Sequence, residues 1–428
     1  MNIRFYHARL MPLAADSRII DGELWTEDRR ISFVGTSAQA IQRQTPAFDR
    51  EIDLQGDLLL PGFKDAHTHS PMTFLRSFAD DLPLLDWLNK QVFPLEAKLD
   101  EEAVYWFTRL AILEYLSSGI TANYDMYMFP AQIAQAAMDS GFRTVLCGAL
   151  NDFSGSVAEL AHNYQYFNQL DDLISYRLGF HAEYTCSPDL LRALSSLLHE
   201  LKSAVSMHSS ETRSEVEACI ARTGLTPTAW MDSLGLLDFG GCAFHCVHLT
   251  QEDIAIMKQR HLAVVSNPGS NTKLASGIAP LVDLQEQGLK IALGTDGPAS
   301  NNCLDMFREM FLATGLQKLL RQDAAALPAD QVLLMATRNG AEVMGLESCR
   351  YLAAGQQADL VRIDLQQPNM QPLNNIAKNL VYAGSKSNVR MTMVSGRILF
   401  EDGNYYVGEP VETIYRQAQA AATRIQNS

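Results

Sequence analysis

The chain is short of positive charge and of long apolar runs, and both shortages exclude classes of protein. Lysine and arginine together number 34, against 49 aspartates and glutamates in 428 residues, and no block of basic residues occurs. A phosphate backbone is therefore an unsuitable partner. No window approaches the roughly 18 uncharged apolar residues of a membrane-spanning helix, and the acidic N-terminal residues are unlike a signal or transit peptide. We expect a cytoplasmic protein that binds neither nucleic acid nor a membrane.

Paired cysteines and several common catalytic motifs are also missing. The seven cysteines are scattered without a Cys-X-X-Cys pair, which argues against a disulfide framework and a thiolate zinc site. The nucleophile-elbow, Walker and dinucleotide-binding motifs are absent. His181-Ala182-Glu183 matches half of the cytidine-deaminase zinc motif, but its Pro-Cys-X-X-Cys half is absent. Serine-nucleophile catalysis and nucleotide cofactors lose their support.

The middle of the chain has the pattern of repeated βα units, in which short β-branched runs alternate with amphipathic stretches. Eight runs are candidate strands: Leu58–Ala66, Gly119–Tyr124, Arg143–Leu150, Arg177–Ala182, Ala204–Met207, Cys242–Val247, Ala263–Asn267 and Lys290–Thr295. Eight is the strand number of the TIM-type barrel. The sequence therefore predicts an α/β protein whose catalytic domain, residues 58–350, is a (β/α)8 barrel. Residues 1–57 and 351–428 are strand-like or terminally helical, and we expect them to combine in one small β-sandwich domain.

Metal-binding side chains concentrate where these strands end. His67 and His69, at i and i+2 on the first strand, point to one face and can reach a single ion. The same rim receives His181 after the fourth strand, His208 and Glu211 after the fifth, His245 on the sixth and Asp296 after the eighth. Because barrel active sites lie at the C-terminal ends of the strands, five of the ten histidines converge there. This convergence predicts a metal centre.

The predicted ligands are His67, His69, His208 and Asp296. Three imidazoles and one carboxylate suit one divalent ion such as Zn²⁺, with a position left for water, and iron or manganese would accept the same set. A second ion would need a bridging group, typically a carboxylated lysine on the fourth strand, but no lysine lies between Lys98 and Lys202. We therefore expect a mononuclear site.

Three residues are candidates for proton transfer beside this ion. Asp296 can take the proton of the attacking water, and His245 can orient that water by hydrogen bonding. Glu211 is placed to carry a proton to the atom beside the carbon under attack; its plainer interpretation is a carboxylate at a helix N-terminus. Strand alternation points His248 to the other side, which favours a structural role.

The motifs resemble those of the amidohydrolase superfamily, and within it the 5-methylthioadenosine/S-adenosylhomocysteine deaminases and triazine hydrolases. They are Pro61-Gly62-Phe63 with Ala66-His67-Thr68-His69, Met207-His208 with Glu211-Thr212, His245-Cys246-Val247-His248-Leu249, Ser266-Asn267-Pro268 and Leu293-Gly294-Thr295-Asp296-Gly297. The resemblance covers nearly the whole chain. It implies a metal-dependent hydrolytic deaminase of an adenosine-type nucleoside, with the ligands and catalytic residues named above.

The resemblance also implies four substrate contacts: Trp87, Glu96, His181 and Ser300. By this similarity Glu96 would hold the ribose hydroxyls, while His181 and Ser300 would contact the purine. Without the resemblance, Trp87 would be interpreted as a core aromatic and Glu96 as a solvated carboxylate. The substrate is a small molecule in either case, and a homo-oligomer, a dimer or a tetramer, is the expectation for a large cytoplasmic enzyme.

Several departures from the family pattern bear on the substrate. His162 is the only basic residue between Arg143 and Arg177, the segment in which that family places arginines for the carboxylate of S-adenosylhomocysteine. Adenosine, 5′-deoxyadenosine and methylthioadenosine are therefore favoured. Lys64-Asp65 and Ser70 replace less polar residues, which predicts a more polar pocket lip, and Thr272 replaces an aliphatic residue.

Two other functions remain open from the sequence. The same chemistry can act on another ring, such as guanine, a pterin, cytosine or an s-triazine, with an amine or chloride as leaving group. A barrel kept as a non-catalytic metal-binding scaffold is the second, because a fold alone does not decide function.

Overall fold

The computed structural model describes residues 1–43, 46–78, 80–82 and 84–427. Positions 44, 45, 79, 83 and 428, which fall within the predicted domains, lie outside the described residues. The strands, β1 to β17 in chain order, are Ile3–Leu10, Ile20–Glu27, Arg30–Thr36, Arg50–Asp53, Leu58–Pro61, Phe63–Thr68, Ile120–Met126, Arg143–Cys147, Ile174–Arg177, Val205–Ser209, Gly241–His245, Leu262–Ser266, Ile291–Leu293, Leu360–Ile363, Val389–Val394, Arg397–Glu401 and Asn404–Tyr405.

The helices lie mostly between these strands. The α-helices, α1 to α17, are Ser37–Ile41, Leu84–Trp87, Phe93–Glu96, Glu101–Ser117, Pro130–Ser140, Val157–Phe167, Pro188–Leu201, Arg213–Thr223, Pro227–Ser233, Gln251–Gln259, Pro268–Lys273, Leu281–Glu286, Met306–Arg321, Ala329–Leu334, Gly340–Val343, Ile376–Tyr382 and Val411–Asn427. Short 3₁₀ segments are Ser70–Leu75, Glu183–Thr185, Glu347–Cys349, Pro368–Met370 and Lys386–Asn388, and π turns are Leu88–Val92 and Met335–Asn339.

Parallel strands β6 to β13 make the barrel. They form two four-stranded sheets, in the orders β6-β7-β8-β9 and β10-β11-β12-β13. Strand pairing is interrupted at the two seams between these sheets, and backbone hydrogen bonds cross each seam. Phe180 N–H donates to Ser206 O at 3.1 Å on one side, and Asp296 N–H donates to His67 O at 2.9 Å on the other. The predicted barrel architecture is confirmed, and the second seam brings two predicted metal ligands together.

The first predicted strand is divided between two sheets. In the terminal sheet, Leu58–Pro61 pairs in parallel with β1 and in antiparallel with β14. Only Phe63–Thr68 enters the barrel. Gly62 lies at the division, where an added Cβ would stand 2.0 Å from Thr121 Cγ2, so a side chain does not fit. The predicted fourth strand ends earlier, at Arg177, and His181 therefore stands in the loop that follows.

Both ends of the chain contribute to one sheet, as predicted. Its order is β17-β16-β15-β14-β5-β1-β2-β3, with β4 paired to β1. The sheet has a hydrophobic core of its own, separate from that of the barrel. This core of the sheet includes Phe5, Leu24 and Met391. Arg143 on β8 forms a buried ion pair with Asp359, at 2.9 Å, and so ties the barrel to this sheet.

Capping residues explain where the main helices begin. Asp100 accepts a hydrogen bond from Ala103 N–H at the start of α4, and Ser187 caps α7 in the same way, by accepting from Leu190 N–H. The C-terminal helix α17 packs on α4, and Arg424 pairs there with Asp100. In the described part of the chain, every helix is too short or too polar to cross a lipid bilayer.

Candidate metal centre and catalytic groups

Three histidines and one aspartate meet at the C-terminal ends of β6, β10 and β13. His208 Nε2 lies 3.1 Å from His67 Nε2 and 3.4 Å from His69 Nε2. Asp296 Oδ1 lies 3.4 Å from His67 Nε2 and 3.2 Å from His69 Nε2. The side chains are 12% exposed or less. The structure thus brings together all four of the side chains that the sequence predicts as ligands.

The hydrogen bonds behind two of these histidines indicate what the cluster can hold. His69 Nδ1 lies 2.5 Å from the carbonyl of Met126, and His208 Nδ1 lies 2.7 Å from the carbonyl of His181. A carbonyl only accepts, so each Nδ1 carries a proton, and a ring without a second proton directs an Nε2 lone pair inward. Two lone pairs only 3.4 Å apart repel unless a cation lies between them. The donor set therefore fits a divalent metal ion, with backbone carbonyls orienting the ligands.

The charges in this cluster are strongly coupled. Burial lowers the pKa of His67 to about 3, which keeps this imidazole neutral. Burial also disfavours a proton on His69, but the carboxylate of Asp296 outweighs it and raises the pKa to about 9. A proton and a metal ion consequently compete for His69 Nε2. Burial acts to raise the pKa of Asp296, yet its hydrogen bonds with His67 and His69 hold that pKa well below its usual range.

One oxygen of Asp296 is occupied by two serines. Ser270 Oγ donates to Oδ2 at 2.6 Å, and Ser300 Oγ donates to the same atom at 2.7 Å. Oδ1 is left to face the histidines. Asp296 also has a left-handed backbone, with φ of 60°, a costly conformation for a non-glycine residue. Ser300, predicted as a purine contact, is therefore found bonded to a predicted metal ligand.

His245 and Glu211 lie beside the cluster. His245 Nε2 is 3.8 Å from Glu211 Oε2, while Nδ1 of the same ring is 2.8 Å from Asn271 Oδ1. An Nδ1 proton donated to that amide oxygen leaves Nε2 free to face Glu211. Burial raises the pKa of Glu211, which favours its protonated form.

His245 is also close enough to be a ligand itself. One candidate ligand atom from each of His67, His208, His245 and Asp296 lies within 4.8 Å of the others. This set differs from the predicted one, which has His69 in place of His245. His69 and His245 therefore both lie at the candidate metal centre. The distances alone do not decide which of them is the ligand and which carries a proton.

A buried carboxylate that the sequence analysis did not single out holds Glu211 in place. Glu215 accepts the backbone N–H of Ser210 at 2.8 Å and that of Glu211 at 2.7 Å. It forms a capping box with Thr212 at the start of α8. The plainer interpretation of Glu211, a carboxylate at a helix N-terminus, thus belongs to Glu215. The Thr-X-X-Glu spacing was the signal that could have identified it.

The remaining predicted substrate residues have different surroundings. His181 lies next to the cluster, with its ring centroid 4.9 Å from that of His208 and Nδ1 3.0 Å from Thr185 Oγ1. Glu96 is half-buried and accepts a hydrogen bond from the hydroxyl of Tyr127. Trp87 is only 4% exposed and packs in the apolar core, in line with the core interpretation.

The predicted polar lip is wrong, because the residues behind that prediction are buried. Lys64 Nζ donates to Gly62 O at 2.7 Å and to Thr121 Oγ1 at 2.8 Å. Asp65 accepts from the backbone N–H and the hydroxyl of Thr295, so it fixes the residue before Asp296. Both residues belong to β6, which is buried along its whole length.

Ser70 also makes internal contacts rather than lining a lip, whereas Thr272 is exposed and bonds within its own helix. Ser70 is buried, and its N–H donates to Asp125 Oδ1 at 3.0 Å. Thr272 Oγ1 donates to Pro268 O at 2.7 Å, one turn back on α11. His248 Nε2 lies 2.7 Å from the carbonyl of Ser276, a structural contact.

Another buried carboxylate that the sequence analysis missed joins two loops at the rim. Glu309 on α13 accepts from Gly269 N–H and from Asn301 Nδ2, each at 2.8 Å. These partners belong to the loops that follow β12 and β13, the second of which contains Asp296. Burial raises the pKa of Glu309 to about 8.

Comparison with known proteins agrees with this geometry. The model of the amidohydrolase family matches residues 58–399. The 5-methylthioadenosine/S-adenosylhomocysteine deaminase of Desulfitobacterium hafniense (strain DSM 10664 / DCB-2) is 42% identical over 391 residues, which are 89% of each protein. The crystal structure of an adenosine deaminase from Xanthomonas campestris with bound zinc is 32% identical and superposes with a TM-score of 0.93, over 100% of this chain and 98% of that one.

A more distant structure shares the fold. The atrazine chlorohydrolase of Arthrobacter aurescens TC1, solved with zinc, superposes with a TM-score of 0.89 over 98% of this chain and all of its own. Its identity to this chain is 19%, so the likeness concerns the architecture.

Proposed function

We propose that this chain, which belongs to the amidohydrolase family, is a metal-dependent deaminase of adenosine-type nucleosides. The family match and the deaminase relatives make it a hydrolase of carbon–nitrogen bonds. The observation that carries the proposal is the meeting of His67, His69, His208 and Asp296 beside Glu211 and His245. Residues 58–350 are the proposed catalytic domain.

The proposed ion is a single Zn²⁺, held by His67, His69, His208 and Asp296. The inward lone pairs of two histidines support a cation, and the relative from Xanthomonas campestris contains zinc. When bound, such an ion supplies Lewis acidity and lowers the pKa of a coordinated water molecule toward 7.

The chain's own groups then divide the proton transfers. Asp296 accepts the proton that the attacking water loses through Oδ1, the oxygen that the two serines do not occupy. His245 Nε2 accepts a hydrogen bond from the water and so orients it. Glu211, whose pKa burial raises, donates a proton to the ring nitrogen beside the amidine carbon. Asp296 then returns its proton to the amino group, the carbon–nitrogen bond breaks and ammonia leaves, while the added hydroxyl gives its proton back to Glu211 as the carbonyl forms.

Nucleosides with small or uncharged 5′ groups are the proposed substrates. His162 is the only basic residue between Arg143 and Arg177. Arg143 itself is buried in its ion pair with Asp359 and is not available to a ligand. The loop after β8 instead carries Phe153, an apolar side chain that is 84% exposed. These features support weak binding of the carboxylate of S-adenosylhomocysteine.

The direct test is ammonia release from zinc-loaded protein, with the ultraviolet change from adenine to hypoxanthine followed in parallel. The panel contains adenosine, 5′-deoxyadenosine, methylthioadenosine, S-adenosylhomocysteine, guanine, cytosine and an s-triazine. We expect turnover of the uncharged nucleosides and poor turnover of S-adenosylhomocysteine. Turnover confined to free bases or triazines would contradict the proposal in favour of the other ring substrates, and bound metal without any turnover would favour a scaffold.

A further inference from the structure

Tyr127 connects the candidate metal centre to Glu96. It directly follows Met126, whose carbonyl faces His69 Nδ1, and its ring centroid is 6.3 Å from that of His69. The Tyr127 hydroxyl donates to Glu96 Oε1 at 2.5 Å. A single step along the backbone therefore separates a contact with a proposed metal ligand from a contact with a carboxylate.

The two partners differ in how far they are buried. Tyr127 is 8% exposed and packs in the apolar core, whereas Glu96 is half-buried. In the part of the chain that the structure describes, Glu96 Oε2 has neither a hydrogen bond nor an ion pair. Burial raises the pKa of Glu96, and the hydrogen bond from Tyr127 opposes this shift. A partly desolvated carboxylate with one unused oxygen is stabilised by additional donors.

Local structure alone leaves Glu96 poorly fixed. It is the last residue of α3, a helix of four residues that follows the π turn Leu88–Val92. A glutamate side chain has considerable rotamer freedom, and ordering it costs free energy when a ligand binds. The hydrogen bond from the rigid phenol of Tyr127 reduces this cost, because it already orders Glu96 through Oε1 in the absence of a ligand.

Glu96 Oε2, the oxygen that Tyr127 does not occupy, can accept hydrogen bonds from a substrate with two neighbouring hydroxyl groups. We infer that Tyr127 is a positioning residue, which orients Glu96 to accept hydrogen bonds from the 2′- and 3′-hydroxyls of a ribonucleoside. This inference rests on the proposed nucleoside deaminase function. It makes Tyr127 a determinant of the preference for ribonucleosides over analogues without sugar hydroxyls.

The test compares adenosine with 2′,3′-dideoxyadenosine in the full-length, zinc-loaded protein. For Tyr127→Phe we expect KM for adenosine to rise about tenfold, the effect of losing one strong hydrogen bond, with kcat little changed. KM for dideoxyadenosine should stay near the wild-type value, so the ratio of the two kcat/KM values falls about tenfold. A general structural defect would lower both values together and leave the ratio unchanged.

Two further variants complete the design. Tyr105→Phe is the matched control, because the Tyr105 hydroxyl also donates to a carboxylate, that of Asp139, at 2.8 Å on the surface; its ratio should equal that of the wild type. Glu96→Gln should abolish the preference, and adding Tyr127→Phe to it should change nothing more. Equal ratios in the wild type and in Tyr127→Phe would overturn the inference alone. Absence of nucleoside turnover by the wild type would instead overturn the proposed function.

Discussion

The hydroxyl of Ser270 donates to Oδ2 of Asp296 at 2.6 Å, across the space between the loops that follow β12 and β13. Ser300, which follows Asp296 in the chain where Ser270 precedes it, donates to the same oxygen. With Oδ2 held twice, the carboxylate cannot rotate freely, and Oδ1 stays directed at the histidines. The orientation of a proposed metal ligand thus depends on two hydroxyls that are not themselves proposed ligands.

Removing the first hydroxyl should weaken metal binding. For Ser270→Ala we expect zinc affinity to fall about tenfold, the lower part of the range for lost hydrogen bonds behind a ligand. Competition with a chromophoric chelator measures this directly. Ser196→Ala removes an exposed hydroxyl that bonds within α7 and should bind zinc like the wild type. An unchanged affinity in Ser270→Ala would show that Asp296 is oriented without it.

Glu211 should be needed for turnover but not for metal. For Glu211→Gln we expect kcat to fall by about 10² to 10⁴, the usual contribution of a general acid or base, while one zinc per chain is retained. Steady-state kinetics and metal analysis check the two halves of this prediction. Glu217→Gln, an exposed change on the same helix, is the control. Loss of zinc together with activity would make Glu211 a ligand or a structural support instead.

Substitution of His69 and of His245 should likewise have different effects on zinc binding and on activity. We expect His69→Ala to lose zinc, because His69 Nε2 lies 3.2 Å from Asp296 Oδ1 with a carbonyl behind it. His245→Ala should keep zinc and lose most of its activity, because the partner of His245 is Glu211. Zinc content after dialysis against a weak chelator distinguishes them. The reverse result would assign the fourth position to His245.

The sequence was informative where function depends on the order of residues along a strand. His67 and His69 share a face because of the strand period, and His208, His245 and Asp296 follow strands whose ends meet on one rim. This geometry follows from local pattern and barrel topology alone. The meeting of these side chains was therefore predictable from the sequence.

Other features depend on which backbone groups come together in space, and these were not predictable. Glu309 binds Gly269, 40 residues away, and Asp65 binds Thr295, 230 residues away, and nothing near Glu309 or Asp65 in the sequence indicates these partners. Lys64 was misinterpreted because its neighbours in the chain are predicted metal ligands, while its side chain is enclosed by Gly62 and Thr121. Only the path of the chain across the barrel decides such contacts.

Glu309 should make stability depend on pH in a definite direction. Burial raises its folded-state pKa to about 8 from an ordinary 4.5, so between these values the unfolded chain releases a proton that the folded protein retains. The wild type should therefore lose stability relative to Glu309→Gln as pH rises from about 5 to 8, by at most about 1.4 kcal/mol per pH unit, and the difference should level off above pH 8.

Urea unfolding of both proteins at pH 5, 6, 7 and 8 measures this difference, with metal ion and buffer held constant. Glu252→Gln, an exposed change, should follow the wild type at every pH. If Glu309 were ionised in the folded protein, its hydrogen bonds from Gly269 and Asn301 would have to offset burial, and the difference would be flat over this range. A flat difference would mean that the loops containing Asn301 and Gly269 are held by a charge, whereas a declining one means that they are held by a neutral carboxyl group.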